Sequence, residues 1–164
     1  KPFPGEDHIL VPSPKCPSYA EKPEMSARKI TKHLVSALKK EDHDVIIVNY
    51  ANGDLVGHSG DLKAAIECCQ VLDECLEKVI PTALKHGYTT ILTSDHGNCD
   101  EMLYKNGEPK PSHTLNPVPC LLISDQKYRL KKKRGLQDIA PTILELLKIK
   151  KPAIMTGESL IKKS

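Results

Sequence analysis

Five side chains, in three short stretches, are of the types that hold a divalent cation. Asp54 and His58 stand four apart in NGDLVGH, Asp95 and His96 are adjacent in TSDHGNCDEM, and His113 lies in SHTLNP. Carboxylate and imidazole together form a donor set suited to Zn²⁺ or Mn²⁺. On a helical turn the four-residue spacing aims Asp54 and His58 at one point. Asp95 and His96 would face opposite sides of a strand, but in a loop beyond a strand end both can turn inward, with Gly97 supplying backbone freedom. A solitary Asp or His in a loop is ordinarily just solvated. Five of them at three strand boundaries form either a metal site or an unusually polar set of loops, and the pattern alone leaves both open.

Other chemistry fits less well. Ser94-Asp95-His96 has the letters of a hydrolytic triad. Three consecutive residues rarely let the base reach the nucleophile and the acid reach the other ring nitrogen, and there is no G-x-S-x-G elbow. The run Lys131-Lys132-Lys133-Arg134 has no interleaved aromatic residues, and the chain holds five Tyr, one Phe and no Trp. Base stacking is therefore poorly supported, and the run reads as a solvated loop with no nucleic-acid partner.

The elements that must position the five donors follow from periodicity. Ser26 reads as the N-cap of a helix over Ala27 to Lys40, with Ile30, Leu34, Ala37 and Leu38 at helical spacing. HILVPS reads as a short edge strand. The β-branched run DVIIVNY reads as a buried parallel strand, leading into a Gly-containing loop, ANGDLVGHSG. A long helix starts at Asp61, its N-cap, and carries a stripe of Leu62, Ala65, Ile66, Cys69, Leu72, Leu76, Val79 and Ile80. Pro81 is expected to kink or interrupt it and Gly87 to end it. TTILTS and PVPCLLIS read as strands, Asn106-Gly107 as a hairpin turn, and LQDIAPTILELLKI as a final amphipathic helix. The order predicts an α/β fold with a mostly parallel sheet, in which ligands gather at the carboxyl ends of strands. Two of the polar stretches fall there.

The 164 residues fit one domain with a real core, and 39% apolar with 27% charged residues is too mixed for disorder. A net charge of +3 gives no bulk reason to expect nucleic acid or an anionic membrane as partner. No apolar run approaches a membrane span, and no signal-peptide pattern opens the chain. The six Cys include no CxxC pair and read as reduced thiols of a cytosolic protein, with Cys68 and Cys69 in or near the core. The chain opens KPFPGEDHILVPSPKCPSY, Pro-rich and without Met, which reads as the interior of a longer protein.

The stretches NYANGDLVGHSGDLKAAIECCQVLDECL, TSDHGNCDEM and SHTLNPVP resemble the cofactor-independent (2,3-bisphosphoglycerate-independent) phosphoglycerate mutases of the alkaline phosphatase superfamily. VPSPKCPSYAEKPEMSA and the LQDIAPTILELL and MTGESL segments resemble the flanking sequence, so the likeness covers essentially the whole chain. It implies an alkaline-phosphatase-like, mostly parallel sheet with helices on both faces, incomplete because N-terminal strands are absent. Residues 1–164 would be the C-terminal portion of the metal-binding phosphatase-like domain, without the inserted substrate-binding domain.

The resemblance also implies roles. Asp54, His58 and His113 match the ligands of one ion, and Asp95 and His96 match two ligands of the other. The ions would be two Mn²⁺, with Mg²⁺ or Co²⁺ as alternatives, and no 2,3-bisphosphoglycerate is used. The reaction would be the cytoplasmic, glycolytic interconversion of 3-phosphoglycerate and 2-phosphoglycerate through a phosphoserine. The family's nucleophilic serine, a further metal-binding aspartate, an active-site lysine and its substrate-gripping arginines match nothing here, and neither Lys15 nor Ser59 is given a catalytic part. The chain is therefore expected to be inactive alone and to self-associate, where the whole enzyme would be a monomer. The rival readings are another metalloenzyme of the superfamily (a phosphopentomutase or phosphatase), disfavoured by NPVP and GDLVGHSGD, and a non-catalytic metal-binding module.

Overall fold

The computed structural model describes residues 1–162. The chain folds as two compact units, Lys1–Ile123 and Ser124–Ser164.

In the first unit, helix α1 (Ala27–Lys40) forms where its periodicity predicts. Ser26 stands at the cap position but makes no side-chain cap; its hydroxyl donates instead to the carbonyl of Pro12 at 2.8 Å. Helix α2 (Asn52–Gly57) occupies the stretch expected to be a loop. Burial decides this: Val56 and Asn52 are almost fully enclosed, and the Asn52 amide donates to the carbonyls of Pro23 and Glu24 at 2.8 and 3.0 Å. Helix α3 (Leu62–Lys85) is capped by Asp61, whose carboxylate accepts from the Ala64 N–H at 3.0 Å. It runs through Pro81 without ending. It stops at Gly87, whose φ of +74° allows Gly87 N–H to reach Leu84 and Tyr88 N–H to reach Ala83.

The buried stripe of α3 is Ala64, Ala65, Cys68, Val71, Cys75, Val79 and Ala83. Of the expected stripe, Ala65 and Val79 are buried and Leu72, Leu76 and Ile80 half-buried, while Leu62, Ile66 and Cys69 face solvent. Small residues line the buried face because α1 and α2 pack against it closely. Ala27 meets Val71 and Cys75, Leu34 and Leu38 meet Val79 and Ala83, and Val56 meets Ala64, Ala65, Cys68 and Met102. These pairs advance in the same sense along both helices, so α1 and α3 run parallel, and the extended segment 44–50 that follows α1 packs Ile46 and Tyr50 against the same clusters, as α/β alternation requires.

That segment departs from its expectation. DVIIVNY forms no ladder, and Ile47 is 85% exposed. An extended stretch is a strand only when a neighbour takes its N–H and C=O groups, and none of the described residues does so in ladder form. HILVPS likewise forms no strand, with Ile9 and Leu10 exposed. The strands present are β1 (Thr90–Thr93) and β2 (Cys120–Ile123), paired antiparallel with Thr90 opposite Ile123 and Thr93 opposite Cys120. A parallel partner needs a crossover, usually helical, whereas residues 94–119 contain no helix and fold back to the end of the sheet they left. The α/β class stands, with a small incomplete sheet.

In the second unit a 3-10 turn at Leu136–Asp138 leads into helix α4 (Ile139–Leu146). Asp138 is 2% exposed and accepts from the N–H groups of Gly135 and Glu158 at 3.1 and 2.7 Å, pinning residues 157–160 beside the start of α4. Leu160 N–H adds a bond to Thr142 Oγ1 at 2.8 Å.

Two outcomes follow. The Ile47→Lys variant should self-associate less than the parent chain in sedimentation velocity, because a Lys blunts an unpaired apolar edge. The Glu158 N–H, then that of Gly135, hold the Asp138 carboxyl below the usual carboxylate range. A depressed folded-state pKa stabilises above the unfolded value and is lost as pH falls through the folded one. The stability deficit of Asp138→Asn in urea titrations should therefore be present at neutral pH and shrink in acid, below about pH 4.

Candidate metal centre

Three of the five predicted donors, all imidazoles, converge on one carboxylate oxygen of a fourth, Asp54. The helical backbone continues past α2, with His58 N–H bonded to the Asp54 carbonyl at 3.1 Å, so the two side chains stack one turn apart. His58 Nε2 lies 3.1 Å from Asp54 Oδ1. On the other side of the ring, His58 Nδ1 donates to the Pro111 carbonyl at 2.9 Å. A carbonyl only accepts, so Nδ1 carries a hydrogen, and Nε2 is left as the ring nitrogen on the carboxylate side, the one a metal-binding imidazole would offer. The same loop, before β2, delivers His113, whose Nε2 lies 3.1 Å from Asp54 Oδ1 and 3.3 Å from His58 Nε2.

The triangle of donors therefore has sides of 3.1, 3.1 and 3.3 Å. With metal–donor bonds of about 2.1 Å, neighbouring donors stand about 3.0 Å apart in an octahedron and about 3.4 Å apart in a tetrahedron. The three observed distances fall within that range.

His96 also turns in. Its Nε2 lies 3.7 Å from Asp54 Oδ1, and its ring stacks on His113 with centroids 3.5 Å apart. Asp54, His96 and His113 thus form a second overlapping set, their donor atoms within 4.8 Å of one another. Asp95 stays out: its side chain is 81% exposed and approaches His96 Nε2 at 3.7 Å. Ser94 spends its hydroxyl on the His96 carbonyl at 2.6 Å. Ser59 spends its own on the Val56 carbonyl, also at 2.6 Å, while accepting from Asp61 N–H.

A polar clamp, not legible from the donor letters, fixes the two loops. Asp100 Oδ2 accepts from Thr114 Oγ1 at 2.8 Å and from Asn116 Nδ2 at 2.6 Å, while Thr114 N–H donates to the Gly97 carbonyl at 2.8 Å. Asn116, then Thr114, hold the Asp100 carboxyl below the usual range. Gly97 is needed here for lack of a side chain and not for an unusual φ: a methyl would overlap Thr114 Oγ1 and crowd Asp100. Nothing in the letters Gly97, Asp100, Thr114 and Asn116 signalled this; only their meeting across the loop does. Asn98 is a further residue missed, its amide donating to Asp54 Oδ1 at 3.2 Å.

The thiols take no part. All six cysteines are free. Burial pushes Cys68 up to about 12 and raises Cys99, whose Sγ donates to the Gly53 carbonyl at 2.9 Å. Without thiolates, the nitrogen and oxygen donors left are those of a borderline or hard divalent cation.

An α/β scaffold that brings three imidazoles to one carboxylate defines a metal-binding protein. The chain belongs to the metalloenzyme superfamily, whose family model matches residues 1–151. It is 49% identical, over 98% of its length, to the 2,3-bisphosphoglycerate-independent phosphoglycerate mutase of Flavobacterium psychrophilum, and 46% identical over 97% to that of Symbiobacterium thermophilum. It spans 32% and 31% of those proteins, about a third of the curated relatives it matches. A crystal structure of Leishmania mexicana phosphoglycerate mutase at low cobalt concentration superimposes with a TM-score of 0.83 at 34% identity, over 94% of this chain and 31% of that one. No helix among the described residues is long and apolar enough to cross a membrane.

Asp100→Ala should lower stability by about 0.5–1.5 kcal/mol, the usual net worth of a hydrogen bond whose partners stay partly in water. It should also open residues 113–116 to limited proteolysis. Equal cleavage of parent and variant in that loop would show that the clamp does not hold it.

Proposed function

We propose that residues 1–164 are the C-terminal portion of the phosphatase-like domain of a cofactor-independent phosphoglycerate mutase, a glycolytic enzyme of the cytoplasm. The observation that carries this reading is the triangle of Asp54 Oδ1, His58 Nε2 and His113 Nε2, in a chain nearly half identical to enzymes of that name. The substrate would be phosphoglycerate, its phosphoryl group passing between the 3- and 2-oxygens through a serine that is not among the residues assigned here.

In this reading Asp54, His58 and His113 would hold one Mn²⁺, and His96 would contribute to a second together with Asp95, once that carboxylate turns in from its exposed position. Divalent ions so placed offset the charge of a transferring phosphoryl group and lower the pKa of a nucleophilic hydroxyl. The chain's own residues do the positioning. Pro111 fixes the His58 tautomer, the Asp100 clamp holds His113 over Asp54, and the stacked His96 and His113 rings set the two donor groups side by side.

Isothermal titration with Mn²⁺ tests this. One tight site per chain is expected, abolished by His58→Ala or His113→Ala and little changed by His96→Ala. A site lost with His96 and indifferent to His58 would instead favour the overlapping set of Asp54, His96 and His113. No binding at all would remove the metal reading. The purified 164-residue chain should show no mutase turnover with or without Mn²⁺, since covalent transfer needs its nucleophile. Metal-dependent turnover would overturn the assignment of the serine elsewhere.

A further inference from the structure

We infer that Asn98 is the positioning residue for the Asp54 carboxylate, and that Gly57 is glycine to admit it; this rests on the proposed metal-binding role of Asp54. Asn98 is only 5% exposed. Its side-chain amide nitrogen donates to Asp54 at two points: Nδ2 lies 3.2 Å from Oδ1 and 3.4 Å from the Asp54 carbonyl. One residue thus grips the carboxylate and the backbone from which it hangs.

The cost appears on the other end of the same group. Asn98 Oδ1 is buried and has no hydrogen-bond partner, alone in that respect among the described side chains. Rotating the amide by half a turn would put its oxygen against the Asp54 oxygens, so the negative charge selects the orientation seen and leaves Oδ1 unpaired. A buried acceptor without a donor is destabilising. The fold tolerates one here, where the donor end of the same amide meets the carboxylate at the centre of the site.

The space for Asn98 comes from α2. Asp54 and Gly57 lie three apart, on one helix face, and that face meets Asn98. A methyl group on Gly57 would overlap Asn98 Oδ1 and press on Cys99 Sγ. The contact therefore needs glycine for its missing side chain. Cys99 seals the same junction, its thiol bonded to Gly53 one turn earlier. The DHGN stretch consequently supplies a donor candidate in His96 and, two residues on, the group that aims the donor of a different element.

Three variants of the full chain separate positioning from mere packing. Asn98→Leu keeps the volume and removes both N–H donors; Gly57→Ala keeps the donors and pushes them away; Cys99→Ala alters the junction and leaves the amide in place. The first two should weaken Mn²⁺ binding about 10- to 100-fold, as loss of a partner behind a ligand typically does. Both should leave far-UV circular dichroism close to the parent, and Asn98→Leu, which adds no volume, should leave the metal-free Tm close to it as well. Cys99→Ala should retain parental affinity. Parental Mn²⁺ affinity in both Asn98→Leu and Gly57→Ala would overturn the inference.

A second measurement needs no metal and no refolded Asn98 variant. In the metal-free parent the Asn98 side-chain NH₂ should exchange slowly with solvent, and Asp54→Ala should abolish that protection while other buried amides keep theirs. Protection unchanged by Asp54→Ala would show that Asn98 serves only the packing, whether or not the parent binds Mn²⁺. Failure of the parent to bind Mn²⁺ counts against the proposed function, while the exchange measurement still decides whether Asn98 holds Asp54.

Discussion

The place of one carboxylate governs the polar end of the first unit. Asp54 Oδ1 has His58 and His113 at 3.1 Å and His96 at 3.7 Å, so that two stretches distant in sequence join its own helical turn there. Such convergence is energetically awkward without a reason. Each imidazole gives up water and conformational freedom to approach the same oxygen. A cation shared among these donors removes the difficulty, because it draws both the carboxylate and the imidazole lone pairs toward one centre. The rest of the unit is arranged to make that convergence repeatable.

Two kinds of force share the work. Apolar burial sets the helices: Val56 seats α2 on Ala64, Ala65, Cys68 and Met102, which fixes Asp54 and His58 against the start of α3. The donors on the long loop cannot be placed that way, because residues 94–119 carry little that is buried. Their positions are set by polar cross-links, Thr114 and Asn116 to Asp100 and Thr114 to Gly97, above an antiparallel β1–β2 pair that closes the loop at its base. Closing the loop at its root by a ladder reduces the entropy that those cross-links must overcome.

How far the sequence foretold this differs from element to element. α1, α3 and both strands were legible because each announces itself locally, through period, cap and breaker: Asp61 before the long helix, Gly87 after it, β-branched Thr90-Ile91 and apolar Leu121-Leu122 in the strands. The α3 stripe held at Ala65 and Val79 and failed at Leu62, Ile66 and Cys69, because large apolar letters suggested the buried face, whereas close packing against two helices selects Ala and Cys. α2 was read as a loop because its two glycines outweigh its short apolar pair in any local reckoning; tertiary burial of Asn52 and Val56 decides otherwise. DVIIVNY has strand composition without strand pairing, since a ladder belongs to two segments. At the site, residue types and spacing offered five donor letters without dividing them between ions, and only the resemblance supplied a division. Asn98 and Asp100 were not readable, since their parts exist only across loops.

The hydrogen bond from His58 Nδ1 to the Pro111 carbonyl has a consequence for the way this site withstands genetic drift. A side-chain acceptor can be erased by one codon change; a main-chain oxygen survives every substitution at its own position. The His58 tautomer is thus insulated from the identity of residue 111 and answers only to the path of the loop. Insertions or deletions between 104 and 111, which shift that path, are the genetic lesions to which this imidazole is exposed, and missense changes at 111 that preserve it are silent.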